Sequence, residues 1–315
     1  MTAAATTRSP YVLAPTTVAT TQRRSSSFAR LTFAGPALVD VGVDGPLYDQ
    51  RIKLLIPPAD GDLPDLAHAG DDWYAAWQAL PPHARGTMRT YSLRDLTGRG
   101  PERRLTVDVV LHLDPDASGT VAAWAAAARP GDPALLVAPR AGQPAGGIEF
   151  DPGDASRLLL VADETAVPAV ARILHDLPGD ARGTAFCEVP HRDDVDPDVT
   201  APPGVEVRWL PRDGDPDVGC RLLPAVAAHL GPGRRSPSSS PAAAAAHDPD
   251  APVWDTPGRA GPGAGRDGGI TGRYAWIAGE AGMVTTLRRH LVHDLGVSRQ
   301  QVAFMGYWRR GRPSG

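Results

Sequence analysis

The sequence predicts a β domain followed by an α/β domain: an antiparallel barrel, then a parallel sheet with helices. Three observations carry that prediction. The first half alternates short β-prone segments with Gly and Pro punctuation. The second half instead couples continuous apolar runs to helical patterns. The 315 residues also suit two domains of roughly 150 each.

Taken in order, residues 1–27 are rich in Thr, Ser and Ala and read as a flexible N-terminal tail. Residues 28–33 alternate, and 50–56 (QRIKLLI) are strongly β-prone until Pro57 and Pro58 end them. Segments 86–93 and 104–112 read as two further strands, 121–128 as a helix stopped by Pro130 and Gly131, and 133–138 as a closing strand. The predicted β-barrel domain spans 28–150, with the boundary inside 146–156.

Residues 157–162 (RLLLVA) form an unbroken apolar run, as expected of a strand buried on both faces. A turn at 163–167 precedes a helix at 168–177 with Pro168 in its first turn. Strands follow at 184–189, 205–210 and 274–278, and the last leads through Gly279, Glu280 and Ala281 into a helix at 283–294. This alternation implies a parallel-sheet domain over 151–311. Residues 231–270 form a low-complexity Pro/Gly/Ser/Ala insert, read as a loop.

Composition removes several function classes. A net charge of -4 and a pI near 6.1 exclude a strongly basic nucleic-acid binder. No apolar run reaches the about 18 residues of a membrane span, and the start of the chain lacks a signal core. Cys187 and Cys220 make neither a disulfide framework nor a zinc site, and Cys187 reads as a small core residue. The expected compartment is the cytoplasm, and nothing in the sequence demands more than a monomer. Lys53 is the sole lysine among 32 basic residues, the rest being arginine.

The stretch 88–96 (MRTYSLRDL) is the first with chemical promise. Alternation puts Arg89 and Tyr91 on one face of a strand. A guanidinium binds a pyrophosphate bidentately, a phenol ring can stack on an isoalloxazine, and the Ser92 hydroxyl can reach a flavin N5 at the strand end. On these residues alone, a surface strand with a solvated arginine is the other reading.

Seven stretches settle a resemblance by falling in a fixed order: RIKLLIPP (51–58), MRTYSLRDL (88–96), VDVVLHL (107–113), WAAAARPGD (124–132), LLLVADETAVPAVARIL (158–174), YAWIAGEAG (274–282) and GYWRRG (306–311). In that order they resemble the siderophore-interacting protein family, FAD-dependent ferric-siderophore reductases of the ferredoxin-reductase superfamily. The resemblance implies a flavin-binding antiparallel β-barrel followed by a parallel-sheet α/β nucleotide-binding domain. It implies that electrons pass from NADH or NADPH through FAD to Fe(III) in a siderophore, releasing Fe(II). A reduced ferredoxin is an alternative donor.

Carried across residue by residue, the resemblance makes Arg89, Tyr91 and Ser92 the flavin-binding strand, with Tyr91 and Ser92 nearest the chemistry. It lays the strand holding Asp108, Val110 and His112 along the cofactor. A pyrophosphate turn then falls at Gly119 and Thr120, with Trp124 on the following helix. The family's Gly-Pro-Ala-Ser-like motif is here Gly-Thr-Val-Ala, so Ala122 stands where a serine is expected. In the second domain, Asp163 and Thr165 face the nicotinamide nucleotide, as do Gly279, Glu280 and Ala281. No GxGxxG is present. Glu280 either orients the nicotinamide amide or caps a helix. Glu188 suits a ribose 2′-hydroxyl, whereas Arg192 suits a 2′-phosphate.

Tyr307 and Trp308 either cover a flavin face or pack the chain end on the core. Lys53 matches the family position for an anionic siderophore, and Arg129, Arg309 and Arg310 are further candidates. Two alternatives stay open at this point: a siderophore- or flavin-binding protein without turnover, and a related flavin reductase with another acceptor. No metal site is expected in the protein itself, because the siderophore holds the iron.

Overall fold

The computed structural model describes residues 9–111, 120–144, 146–231, 254–256 and 272–311. The chain divides into compact units at Ile148 and Glu149.

The first unit is an antiparallel sheet built from β1 (Tyr11–Arg23), β2 (Phe28–Ala34), β3 (Arg51–Ile56), β4 (Thr87–Ser92), β5 (Asp95–Thr97), β6 (Arg104–Val110) and β7 (Pro133–Pro139). A short helix α1 (Trp73–Ala79) lies between β3 and β4, and α2 (Thr120–Ala127) precedes β7. Strand order is β4-β3-β7-β1-β2-β6-β5. The sheet curls into a half-barrel: the Arg94 amide, just past β4, donates to the Thr106 carbonyl of β6, bringing opposite ends of the order together. Leu31, Phe33, Leu54, Leu105, Val107 and Leu136, none of them exposed, fill the interior.

The expected tail over 1–27 is corrected by β1, which is the central strand of this sheet. It pairs with β7 from Tyr11↔Pro139 to Thr17↔Pro133 and with β2 from Thr17↔Ala34 to Arg23↔Ala29. Its Thr-rich composition hides a strict alternation in which Val12, Ala14, Thr16 and Val18 point inward and are buried.

The second unit is a parallel sheet closed at one edge by an antiparallel strand. Its elements are β8 (Arg157–Ala162), α3 (Val167–Asp176), β9 (Gly183–Val189), β10 (Val205–Pro211), α4 (Leu222–Leu230), β11 (Trp254–Asp255), β12 (Arg273–Glu280), α5 (Ala281–Arg289) and β13 (Val302–Trp308). The order β10-β9-β8-β12-β13-β11 places β8 centrally, with successive strands leaving on both sides. Leu160, Val161 and Ala162 of β8 are wholly buried, which explains the unbroken apolar run.

Three details depart from the sequence reading. Within the predicted insert, Trp254–Asp255 pairs antiparallel with β13, so a strand interrupts the loop; the rest of 231–270 lies outside the described residues except Gly231 and Thr256. The last helix runs over 281–289, two residues earlier than predicted, and gives way to a π-helical turn at His290–Asp294, where His290 Nδ1 lies 3.0 Å from Asp294 Oδ2. Helix α4 and strand β13 were not predicted.

Candidate functional site

In the first unit, the β3–β4 register sorts the candidate residues by face. Tyr91 pairs with Ile52 and Arg89 with Leu54, while Ser92 pairs with Arg51 and Thr90 with Lys53. Directly opposed residues share a face, so Arg89 and Tyr91 lie on one side and Lys53 and Ser92 on the other. Tyr91 packs against the barrel interior, and burial pushes its phenol up despite the opposing charge of Arg89. Arg89 Nη1 donates to the Met88 carbonyl at 2.9 Å. Lys53 Nζ donates to Thr90 Oγ1 at 2.6 Å, and burial, then the Arg51 charge, lower its pKa.

Asp108 is held by two arginines. Arg30 bonds it through Nε at 2.6 Å and Nη2 at 2.8 Å, and Arg94 Nε lies 3.3 Å away. Its carboxylate therefore fastens β2 and β6 together, leaving the backbone of its strand as the part able to run along a cofactor. Val110 is half-buried at the end of that strand. Thr120 opens α2 and is exposed, and Trp124 packs against the core. His112 and Gly119 lie outside the described residues. Arg129 is exposed, its amide donating to Asp132 Oδ2 at 2.7 Å.

In the second unit, the strand order reverses between β8 and β12, and the carboxyl ends of those strands flank the crevice where open α/β sheets bind ligands. Asp163 and Gly279 sit there together. Asp163 is wholly buried and accepts four hydrogen bonds. Thr165 gives two to Oδ1, from its amide at 2.9 Å and its hydroxyl at 2.6 Å. The Glu280 amide gives one to Oδ2 at 2.6 Å, and the Trp308 indole another at 2.9 Å. Gly279 has φ +143°, and a Cβ there would lie 2.5 Å from the Asp163 carboxyl carbon. Glycine is required so that two backbones and one carboxylate can meet.

Glu280 is the N-cap of α5: its Oε2 accepts from the Met283 amide at 2.9 Å. That is the capping alternative of the two read from sequence. Ala281 is buried at the first position of the helix. A bulge between β12 and β13 pairs Gly279 with Gly306 but Glu280 with Trp308. Tyr307 is the extra residue. It stacks on Trp254 at 6.0 Å and meets Trp276 edge-on, while Trp308 is aimed back over the strand ends. Tyr307 thus packs the end of β13 onto β11 and β12.

Behind Asp163 lies a buried charge network that sequence reasoning missed. Arg212 grips Glu164 through Nη1 at 2.8 Å and Nη2 at 3.0 Å, and Nη1 also reaches Glu188 at 3.2 Å. Burial alone would lower the Arg212 pKa, but bonds and charge from Glu164 and then Glu188 raise it. Glu188 additionally accepts the amides of Gly219, Arg221 and Leu222 at the start of α4. With no exposure and every contact directed inward, Glu188 is not a ribose ligand; it ties β9 to α4. Arg192 is exposed, 3.5 Å from Asp213.

Arg310 forms a strap at the chain end, pairing with Asp217 at 2.7 Å and donating to the Pro216 carbonyl. Arg309 is half-buried. Among the described residues no helix is long and apolar enough to cross a membrane, and no group of three or more His, Cys, Asp or Glu could hold a metal ion.

Known proteins share both halves of this arrangement. Residues 17–143 match the family model for the siderophore-interacting FAD-binding domain, and 155–311 match that for the siderophore-interacting protein. An uncharacterized Mycobacterium tuberculosis protein is 31% identical over 297 residues, 94% of this chain and 89% of that one. The chain belongs to the siderophore-interacting protein family. The ferric vibriobactin reductase ViuB of Vibrio cholerae is 25% identical over 91% of this chain and 86% of ViuB. The crystal structure of a siderophore utilization protein from T. fusca superposes with a TM-score of 0.66 at 26% identity, covering 97% of this chain and 96% of that one.

Membership makes the first unit an FAD-binding domain, and its residues fit that cofactor. One guanidinium and one phenol share a face of β4, and the helix that follows β6 opens on an exposed hydroxyl, Thr120, a donor of the kind that would suit a pyrophosphate.

Burial, then the neighbouring Glu164 charge, raise Asp163 to about 7, against the bonds from Thr165, Trp308 and Glu280. A raised carboxyl binds its proton more tightly folded than unfolded, so the stability it contributes is full below its unfolded pKa of 3.8 and is lost as pH rises towards 7. Thermal melts of the wild type are therefore expected to fall from about pH 4.5 to about pH 7, with Asp163→Asn falling less over the same range. Parallel curves for the two proteins would contradict that assignment.

Proposed function

We propose that the protein is an NAD(P)H-dependent, FAD-carrying reductase of ferric siderophores, acting as a monomer in the cytoplasm. The observation that carries this reading is the union in one chain of an FAD-binding domain with an α/β unit whose switch-point crevice gathers Asp163, Thr165, Gly279, Glu280 and Trp308. FAD, when bound, takes a hydride from a nicotinamide and passes electrons on singly, which the protein's own side chains cannot do. The chain's part is to hold and orient. Arg89 meets the pyrophosphate, Tyr91 packs a ring, and Ser92 offers a hydroxyl. The crevice takes the nucleotide.

The siderophore keeps its own iron; each Fe(III) gains one electron and becomes Fe(II), which hard anionic oxygens bind less strongly. Lys53 and Arg129 in the first unit and, separately, Arg309 and Arg310 in the second are the basic candidates for an anionic chelate, Arg310 being already paired with Asp217. Lys53→Ala is expected to raise the KM for a ferric siderophore roughly three- to tenfold at low salt, the gap narrowing as ionic strength rises. An unchanged KM would remove Lys53 from the acceptor site.

The deciding experiment is anaerobic absorption spectroscopy of the purified protein. NADPH or NADH should bleach the flavin bands, and a ferric siderophore should restore them with Fe(II) captured by a ferrous chelator. Bleaching reversed only by dyes or a redox protein would mark a reductase with another acceptor. A flavin that no nicotinamide nucleotide bleaches would sink the proposed donor.

A further inference from the structure

The carboxyl end of β12 is crossed by a side chain from the next strand. Strand order β8-β12-β13 means that the Trp308 indole, rooted on β13, must pass over Gly279 to reach Asp163 on β8. Gly279 has no side chain to obstruct it, and the β12–β13 bulge supplies the turn that aims it. The same Asp163 oxygen accepts the Glu280 amide. One carboxylate thus ties together the three strand ends that border the crevice.

We propose that Asp163 is a positioning residue for the nicotinamide nucleotide, clamping the Trp308 indole and the Gly279–Glu280 turn so that they form one wall of the crevice. This rests on the reductase reading above and adds to it how the nucleotide site is built. Trp308 is the contact surface, and Asp163 acts through it.

The chemistry of the clamp is directional. All four partners of Asp163 donate, so only an ionised carboxylate satisfies them without rearrangement. A proton on Oδ2 would oppose the indole and the Glu280 amide. A proton on Oδ1 is tolerated only if the Thr165 hydroxyl turns to accept it. The charges around the clamp are Glu164 on the same turn, held by Arg212 and through it Glu188, and Glu280 from β12, whose Oε1 lies 3.4 Å from the Arg310 amide. Arg310 itself is paired with Asp217. Since Asp163 titrates near neutrality, the clamp should loosen as pH falls through about 7.

The test is a titration of oxidised, FAD-loaded protein with NADP+ and NAD+, neither of which can reduce it, read by tryptophan fluorescence and calorimetry. Trp308→Phe keeps a ring but deletes the donor; Asp163→Asn keeps the shape but sets an amide N–H against other N–H groups. Each should weaken nucleotide binding about tenfold, as loss of a hydrogen bond to a charged group predicts. The double variant should be no weaker than either single, because both break one linkage. With ferricyanide as acceptor, KM for the nucleotide should rise while kcat stays within about threefold. The wild-type Kd should rise from about pH 8 to about pH 6, and that of Asp163→Asn should stay flatter.

Should Asp163→Asn fail to fold, Trp308→Phe alone decides. Wild-type affinity in Trp308→Phe overturns the clamp and leaves the reductase intact. Additive losses in the double variant also overturn it. Failure of the wild type to bind either nucleotide overturns the proposed donor, and the clamp with it.

Discussion

Arg212→Ala is expected to destabilise the second unit by about 3–5 kcal/mol, the cost of leaving buried carboxylates without their cation. Glu164 and Glu188 are 1% and 0% exposed, and Arg212 is the cation that bonds both. Removing it leaves two buried carboxylates, Glu164 on the turn after β8 and Glu188 near the end of β9, without their cation, and Glu188 with only its backbone amide donors. Arg212→Lys should fall between wild type and alanine, because an ammonium keeps the charge but cannot reproduce the two-pronged grip on Glu164. Urea unfolding read by tryptophan fluorescence gives both numbers. A loss under about 1 kcal/mol for alanine would mean that water or a proton reaches the carboxylates, and that the network does not anchor the unit.

Gly279→Ala should cost about 3 kcal/mol and weaken nucleotide binding at the same time. Two penalties combine: φ +143° is a conformation that side chains resist, and the new methyl would meet an Asp163 carboxylate that four hydrogen bonds hold still. Gly282→Ala is the natural control. Its Cβ would meet Glu280 Oε2, the oxygen that caps α5, at 2.9 Å, so some of that cap is lost against the helix preference for alanine, and a net change of about 1 kcal/mol, well short of that at Gly279, is expected. If both substitutions cost the same, the close approach at Gly279 is not what holds the crevice together.

Much of the architecture was legible because each element carried its own local signal. The run RLLLVA is a buried central strand, and Pro168 does open a helix. β1 was not legible because its inward residues are Val, Ala and Thr rather than Leu or Ile, so the alternation hides inside a tail-like composition. At the site, one sequence feature stood for two different roles. An acid at the end of a second parallel strand is what a ribose contact looks like, yet Glu188 is turned inward by Arg212, a residue 24 positions away. Nothing local discloses that partnership, nor the one between Asp163 and Trp308, 145 positions apart. The Arg89–Tyr91 face needed only the two-residue period of a strand, whereas the opposite placement of Lys53 needed the β3–β4 register.

The central place of β1 bears on how the chain is born. Its ladder to β7 joins residues to partners made more than a hundred positions later, Tyr11 with Pro139 and Thr17 with Pro133. A ribosome must therefore translate most of the first unit before its middle strand can be closed on both sides. Until then β1 offers an open row of amides and carbonyls, the kind of edge that pairs with other chains. Nascent chains halted before residue 133 should be insoluble or chaperone-bound, and those extended past residue 139 with tunnel length to spare should become protease-resistant in one step.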